Sequence, residues 1–360
     1  MRLGLILYGN LTMQSGGFLY DRLLVEHLRR RGHEVQEISL PWRHYALGLA
    51  DNLSPALLAR LAAVPADLFL QDELAHPSLF FLNRQLRRRL SRPVVAIVHH
   101  LRCQEDRPSW QNRLYQAVER RYFHAVDGFI YNSRDTRQAV EKLLSVPKPF
   151  VVASPGGDRL GRTLNGLEII SRSQGTGPLR ILFLGNLIPR KGLHLLVDAL
   201  ATQPRQNWEL LVVGSPAFDP AYSRAIQRQV ERLGLTAQVR FYGHRDGAPL
   251  AALFAGSHLL AVPSSLEGFG IVYLEAAACG KPSVAGLAGG TGNAVVDGVT
   301  GLRIDGADGA QVEAALTALL TDEARAAALG RNGLERTVRD FSWDRVAEQT
   351  ALLQERGTAR

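Results

Sequence analysis

The chain has 360 residues, 46% of them hydrophobic and 21% charged, and a formal net charge of +8 from 42 Lys and Arg against 34 Asp and Glu. This composition fits about two globular domains of roughly 100–200 residues each and excludes a disordered or fibrous protein. Residues 1–175 hold 24 basic against 16 acidic side chains while residues 176–360 hold 18 of each, so the positive excess belongs to the first half.

The opening MRLGLILYGN has too short an apolar run and no small-residue cleavage site for a signal peptide, and reads as a buried strand. Further apolar runs of strand length follow at Glu34–Ser39, Leu68–Gln71, Val94–Val98, Gly128–Tyr131 and Phe150–Ala153, beginning from Leu3–Tyr8. Amphipathic stretches such as Phe18–Arg31 and Trp110–His124 lie between them. That alternation predicts a parallel sheet covered by helices. Ser154–Arg180, with eight Gly or Pro residues, breaks the rhythm. The alternation restarts at Arg180–Gly185 and continues through Glu209–Val213, Gln238–Tyr242, His258–Val262, Ser283–Ala285 and Leu302–Ile304, before a last amphipathic segment, Trp343–Gln354. The expected organisation is an N-terminal domain over 1–165, a linker over 166–179, a C-terminal domain over 180–340 and a terminal helix within 341–360. Parallel sheets bind ligands outside the carboxyl ends of their strands, so the useful residues should follow strand ends and face a cleft between the halves.

Only Cys103 and Cys279 are present, in a chain too large to need disulfide staples, which points to a reducing, cytoplasmic compartment. No run approaches the roughly 20 apolar residues of a membrane span, so any membrane association is expected to be peripheral.

Ser15-Gly16-Gly17 opens the first helix, where bare N–H groups and the helix dipole suit a phosphate; a plain tight turn is the competing reading. The spacing does not fit a dinucleotide fingerprint, although Glu37 stands about 20 residues on. The fourth strand runs into His99-His100, and one imidazole should reach the strand end to hydrogen-bond a sugar hydroxyl or a leaving group. Cys103, Glu105 and Asp106 nearby raise a metal site as a competitor, but adjacent His side chains on an extended backbone diverge, so no metal is expected. After the first strand of the second half, Gly185-Asn186 leads to Pro189-Arg190-Lys191-Gly192, cations placed to clamp an anionic leaving group or simply to sit in solvent. Lysine is scarce here, four against 38 arginines.

The sharpest feature is Ser264-Ser265-Leu266-Glu267-Gly268-Phe269-Gly270-Ile271 running on to Glu275. Two acids bracket a Gly-Phe-Gly helix start whose N–H groups can hold phosphate, with carboxylates about 12 Å apart along the axis for hydroxyls on either side. A nucleotide sugar has that order: sugar, diphosphate, ribose.

Through the glycine pair, the Arg190-Lys191-Gly192 turn and the Glu267–Glu275 segment, the chain resembles the retaining GT-B glycosyltransferases of group 1, or family 4, most closely from about Arg180 to Ile304. The resemblance implies an α/β fold of two Rossmann-like domains facing across a cleft. It also implies transfer of a hexosyl group from a nucleotide diphosphate sugar, without cofactor or metal, to an acceptor saccharide, lipid or small molecule. By that likeness Glu267 contacts the donor sugar and Glu275 the ribose. Phe269, Gly270 and Ile271 offer N–H groups to the diphosphate, Lys191 balances its charge, Gly16 and Gly17 form the N-terminal glycine loop, and His99, with His100 the alternate, lies near the sugar. The terminal helix looks like the family's crossover onto the N-terminal domain. Asn186 replaces the family's usual Arg, with Arg190 as the substitute charge, and Asn293 stands after Gly289-Gly290 where a Glu is common.

The competing activities are a sugar-nucleotide epimerase or phosphorylase on the same architecture. The pI near 9.8 raises a nucleic-acid-binding protein instead, but no basic patch with interleaved aromatics accompanies it. The basic first half is read as serving an anionic acceptor or an anionic membrane surface that carries one.

Overall fold

A computed structural model describes every residue except Ser91, Asp106, 161–176 and 359–360, with 206 and 352–358 as backbone alone. The expected linker 166–179 therefore lies largely outside the described residues. Two compact units result: Met1–Pro155 with Trp343–Arg360, and Gly156–Ser342.

The first unit holds β1 (Arg2–Tyr8), β2 (Glu34–Leu40), β3 (Leu68–Asp72), β4 (Val94–Val98), β5 (Gly128–Tyr131) and β6 (Phe150–Val152). They form one parallel sheet in the order β2-β1-β3-β4-β5-β6. Every residue of β4 is buried, as expected where helices cover both faces of a parallel sheet. The helix Gly16–Arg30 starts at Ser15, whose Oγ accepts the Phe18 N–H at 3.3 Å, and ends with His27, Arg29 and Arg30, which suit the negative end of the helix dipole. It buries Tyr20, Leu24 and Leu28 at four-residue spacing. The terminal helix Trp343–Thr358 belongs to this unit: Trp343 sets its ring edge against Tyr20 at 5.5 Å, and Asp344 meets His27 Nδ1 at 2.7 Å.

The second unit holds β7 (Leu179–Leu184), β8 (Trp208–Val213), β9 (Val239–Gly243), β10 (Leu259–Val262), β11 (Ser283–Gly286) and β12 (Gly301–Ile304), again all parallel. The order β12-β11-β10-β7-β8-β9 is that of a Rossmann sheet, and it reverses between β7 and β10, where such sheets take their ligands. The first unit ends earlier than the sequence boundary at 165 because Gly156–Leu160 is tied to the second. Gly157 N–H donates to the Phe341 carbonyl at 3.3 Å, and Arg159 pairs with Asp246 and Glu275.

Candidate active site

At the reversal point of the second sheet, β7 runs through Gly185 and Asn186 into the turn Pro189–Lys191, closed by Gly192 at φ +72°. A Cβ on Gly192 would overlap the carbonyl of Pro263, so only glycine lets this turn abut the loop leaving β10. Lys191 Nζ thereby reaches Glu267, whose Oε1 also accepts the Ser264 hydroxyl at 2.6 Å. Glu267 is 6% exposed. Burial pushes its carboxyl up, but Lys191, Arg190 and the Ser264 hydroxyl outweigh that and hold it below the usual range. Burial likewise lowers the Lys191 ammonium despite the attraction of Glu267.

The loop carrying Glu267 is clamped from β11's side. Glu267 N–H donates to the Ala288 carbonyl at 3.3 Å and Gly290 N–H returns to the Glu267 carbonyl at 2.9 Å. Asn293 Nδ2 donates to the Gly290 carbonyl at 3.1 Å. The Gly289-Gly290 turn is therefore a backbone support for Glu267. Arg190, read as a substitute cation for a ligand, instead donates to the Leu266 carbonyl and stands 3.8 Å from Glu267, so its charge is engaged by the same loop. Asn186 lies at the end of β7, its carbonyl accepting from Ile188 at 2.9 Å.

The helix Ile271–Ala278 begins after Gly270 at φ +86°. Among the described residues no backbone acceptor takes the N–H groups of Phe269, Gly270 or Ile271, as at any helix start. The Phe269 side chain turns inward onto Phe341, ring centres 6.3 Å apart. Glu275, 1% exposed, receives Arg159 Nε at 2.7 Å and its terminal nitrogen at 2.6 Å. Burial raises its carboxyl above the usual range although Arg159 pulls it back. The sequence reading held Glu275 open for a ribose and missed Arg159 entirely.

In the first unit, Gly17 and His99 come together: a Cβ on Gly17 would lie 3.1 Å from the His99 ring. His99 Nε2 meets Asp21 Oδ1 at 3.0 Å, and His99 backbone N–H donates to Glu73 Oε2 at 3.1 Å. Asp21, Asp72, Glu73 and His99 are all buried. Burial works against the His99 charge, but Asp21 and Glu73 overcome it and push the imidazole up to about 10. Burial raises Asp72 to about 6 and Glu73 well above its ordinary value. Burial thus works against the charged forms of Asp72 and Glu73, while the 3.0 Å contact pairs Asp21 with His99 in the same interior. Among the described residues Asp21 Oδ2, Asp72 Oδ2 and Glu73 Oε1 accept no hydrogen bond. Donor atoms of Asp21, Asp72 and His99 lie within 4.8 Å of one another, a set that could hold a metal ion. The sequence offers a competing metal site at His99-His100 with Cys103, Glu105 and Asp106, and gives no sign of Asp21 or Asp72 as partners of His99. His100 diverges from His99, half-exposed, bonding Glu105 Oε1 at 3.0 Å. Gly16 lies in open space at the helix start, and Glu37 pairs with Arg29 at the surface at 3.3 Å.

Two family models match the chain: Glycosyltransferase Family 4 over residues 19–159 and Glycosyl transferases group 1 over residues 168–336. A D-inositol 3-phosphate glycosyltransferase of Geodermatophilus obscurus is 30% identical over 352 residues, covering 88% of this chain and 77% of that protein. The corresponding protein of Corynebacterium efficiens is 30% identical over 275 residues, 74% of this chain and 64% of its own length. Three further such relatives are matched over 46–50% of their length. Among solved structures, sucrose-phosphate synthase from Thermosynechococcus elongatus superposes with a TM-score of 0.82 at 24% identity, covering 99% of both chains. Anabaena HepE in complex with UDP-glucose gives 0.79 at 23% identity, covering 99% of this chain and all of that one. The α/β fold is that of GT-B glycosyltransferases, and the chain belongs to the glycosyl transferases group 1 family.

Proposed function

We propose that the chain transfers a hexosyl group, with retention, from a nucleotide diphosphate sugar to an acceptor alcohol. The carrying observation is Glu267: an ionised carboxylate fixed by Lys191 and Ser264 at the reversal point of the second sheet, next to the bare N–H groups of 269–271. Anabaena HepE was solved with UDP-glucose, and that chemistry fits this arrangement.

In this reading Glu267 accepts hydroxyls of the donor sugar, and the 269–271 amides with Lys191 hold the diphosphate. Glu275 takes the ribose, and His99, paired with Asp21, is a sugar-binding group of the first unit. The acceptor oxygen bonds to the anomeric carbon on the face that the diphosphate leaves. The C–O bond to phosphate breaks with its electron pair on the diphosphate, which takes the acceptor proton. Cations and amides stabilise that leaving charge without a metal. Cys103 and Cys279 form no disulfide, which favours the cytoplasm as the place of reaction. The positive first unit holds the acceptor, which we take to be anionic: the relatives above include proteins named for inositol 3-phosphate and sucrose phosphate.

Thermal unfolding with UDP-, GDP- and ADP-glucose tests the donor, since a bound ligand stabilises by about 2.7 kcal/mol at a hundredfold excess over Kd. At least one should raise the unfolding temperature, and Lys191→Ala, Glu267→Ala and Glu275→Ala should each abolish the shift or turnover. Unchanged turnover in all three variants would refute the assignment, and product analysis without acceptor separates an epimerase or phosphorylase.

A further inference from the structure

Arg102 lies in the turn that follows β4, at the carboxyl edge of the first sheet. Its guanidinium carbon stands 5.3 Å from the ring centre of Tyr45 and 5.0 Å from that of Tyr115. Those two rings meet edge to face at 4.7 Å. Tyr45 is anchored through its hydroxyl to His76 Nε2 at 3.0 Å, and Tyr115 is backed by Arg107 at 5.6 Å. The frame around Arg102 is therefore set by other contacts and does not need an acid to form.

Neighbouring basic side chains on this edge have acidic partners. Arg107 and His100 share Glu105, and Arg43 pairs with Asp51 at 3.1 Å. Among the described residues Arg102 has no such partner, and its Nε is buried without a hydrogen bond. Glu119 accepts the backbone N–H of Arg102 at 2.6 Å and not its guanidinium. A guanidinium partly removed from water, stacked on two rings and lacking an acid, retains its forked donors for an incoming anion.

Trp42, 55% exposed, lies on the same edge after β2, with its ring 5.7 Å from Tyr8 and 6.2 Å from Phe18. The Tyr8 hydroxyl lies 2.8 Å from where a Cβ on Gly48 would stand, in the helix Tyr45–Asp51, so the indole and Arg102 flank the two ends of one Tyr8–Tyr45 surface. An exposed indole offers a flat face to a sugar ring, and the guanidinium offers paired N–H groups to phosphate oxygens.

We propose that Arg102, framed by Tyr45 and Tyr115, is the anion-recognising group of the acceptor site and takes the phosphate of a phosphorylated sugar whose ring lies on Trp42. This rests on the transferase reading above and adds to it the acceptor's chemical class.

The test uses the full chain saturated with UDP and titrated calorimetrically with glucose 6-phosphate, fructose 6-phosphate and myo-inositol 1-phosphate, each beside its unphosphorylated parent. At least one phosphorylated compound should bind about tenfold or more tightly than its parent. Arg102→Gln should remove that factor and Arg102→Lys keep part of it, both with UDP affinity unchanged. Trp42→Ala should weaken phosphorylated and parent sugars alike, while Arg121→Ala, an exposed charge on the helix that carries Tyr115, should change nothing. A second arm uses phosphatidylcholine vesicles with and without phosphatidylinositol, and equal, negligible binding is expected. No phosphate preference in the wild type, a preference that survives in Arg102→Gln, or Arg102-dependent binding to the phosphatidylinositol vesicles alone would each overturn the proposal. Failure to bind UDP or any nucleotide sugar would instead remove the transferase reading itself.

Discussion

The imidazole Nε2 of His99 stands 3.0 Å from the carboxylate of Asp21 across 78 residues of chain, with both side chains buried. His99 is pushed up to about 10 from an ordinary 6.5. Its stabilising contribution is therefore complete below about 6.5 and is lost as pH rises through about 10. Lys148, lowered by burial from 10.5 to about 8, works the other way between those values, so the wild-type profile alone mixes the two. His99→Asn isolates the term: it should cost about 3–5 kcal/mol near pH 7 by leaving Asp21 unpaired, and the gap should narrow toward pH 10. Urea unfolding of both proteins across this range measures it, and a gap that stays constant contradicts the assigned ion pair.

Lys191 and Glu267 should behave as a unit. Each single change, Lys191→Met or Glu267→Gln, leaves a buried polar partner unmatched and should destabilise by about 3–5 kcal/mol. The double variant should lose less than the sum, with a coupling of about 1–3 kcal/mol, while turnover falls in all three. Strict additivity in a double-mutant cycle would mean that the pair is not formed.

Arg159 should set the ionisation of Glu275. Burial raises that carboxyl and Arg159 opposes the rise, so Arg159→Gln should push it higher still. If Glu275 must be ionised to accept ribose hydroxyls, KM for the donor should climb as pH falls, and the climb should begin at higher pH in the variant than in the wild type. Parallel pH profiles for the two proteins would separate Glu275 from donor binding.

Gly289, at φ +81°, leaves no room for a Cβ because the carbonyl of Glu267 occupies that space. Gly289→Ala should destabilise by about 1–3 kcal/mol and reduce turnover beyond that loss by displacing Glu267. Gly298→Ala is the comparison, since Gly298 has φ +67° with nothing within 4 Å of a Cβ. It should carry the backbone strain and leave turnover intact. Equal effects on turnover would detach the glycine turn from the site.

Local patterning determined the twelve strands of the described residues. Val94–Val98 and Gly128–Tyr131 are legible to the residue because a strand buried on both faces is a short unbroken apolar run between polar turns. The glycine pair, the basic turn and Glu267 were equally readable, since each follows a strand end and so lies where parallel sheets take ligands. Asp21 was not: between Tyr20 and Arg22 on an amphipathic helix it has the pattern of a surface charge, and only the sheet order carries His99 to it. Arg159 reaches Glu275 across 116 residues, and the lack of an acidic partner for Arg102 among the described residues depends on where their acids pack. Burial of an ionisable group is offset only by its partners, and those partners are set by strand order and loop path. Strand periodicity therefore determined where the ligand-facing edges are, and the tertiary structure decided which charges on those edges are paired.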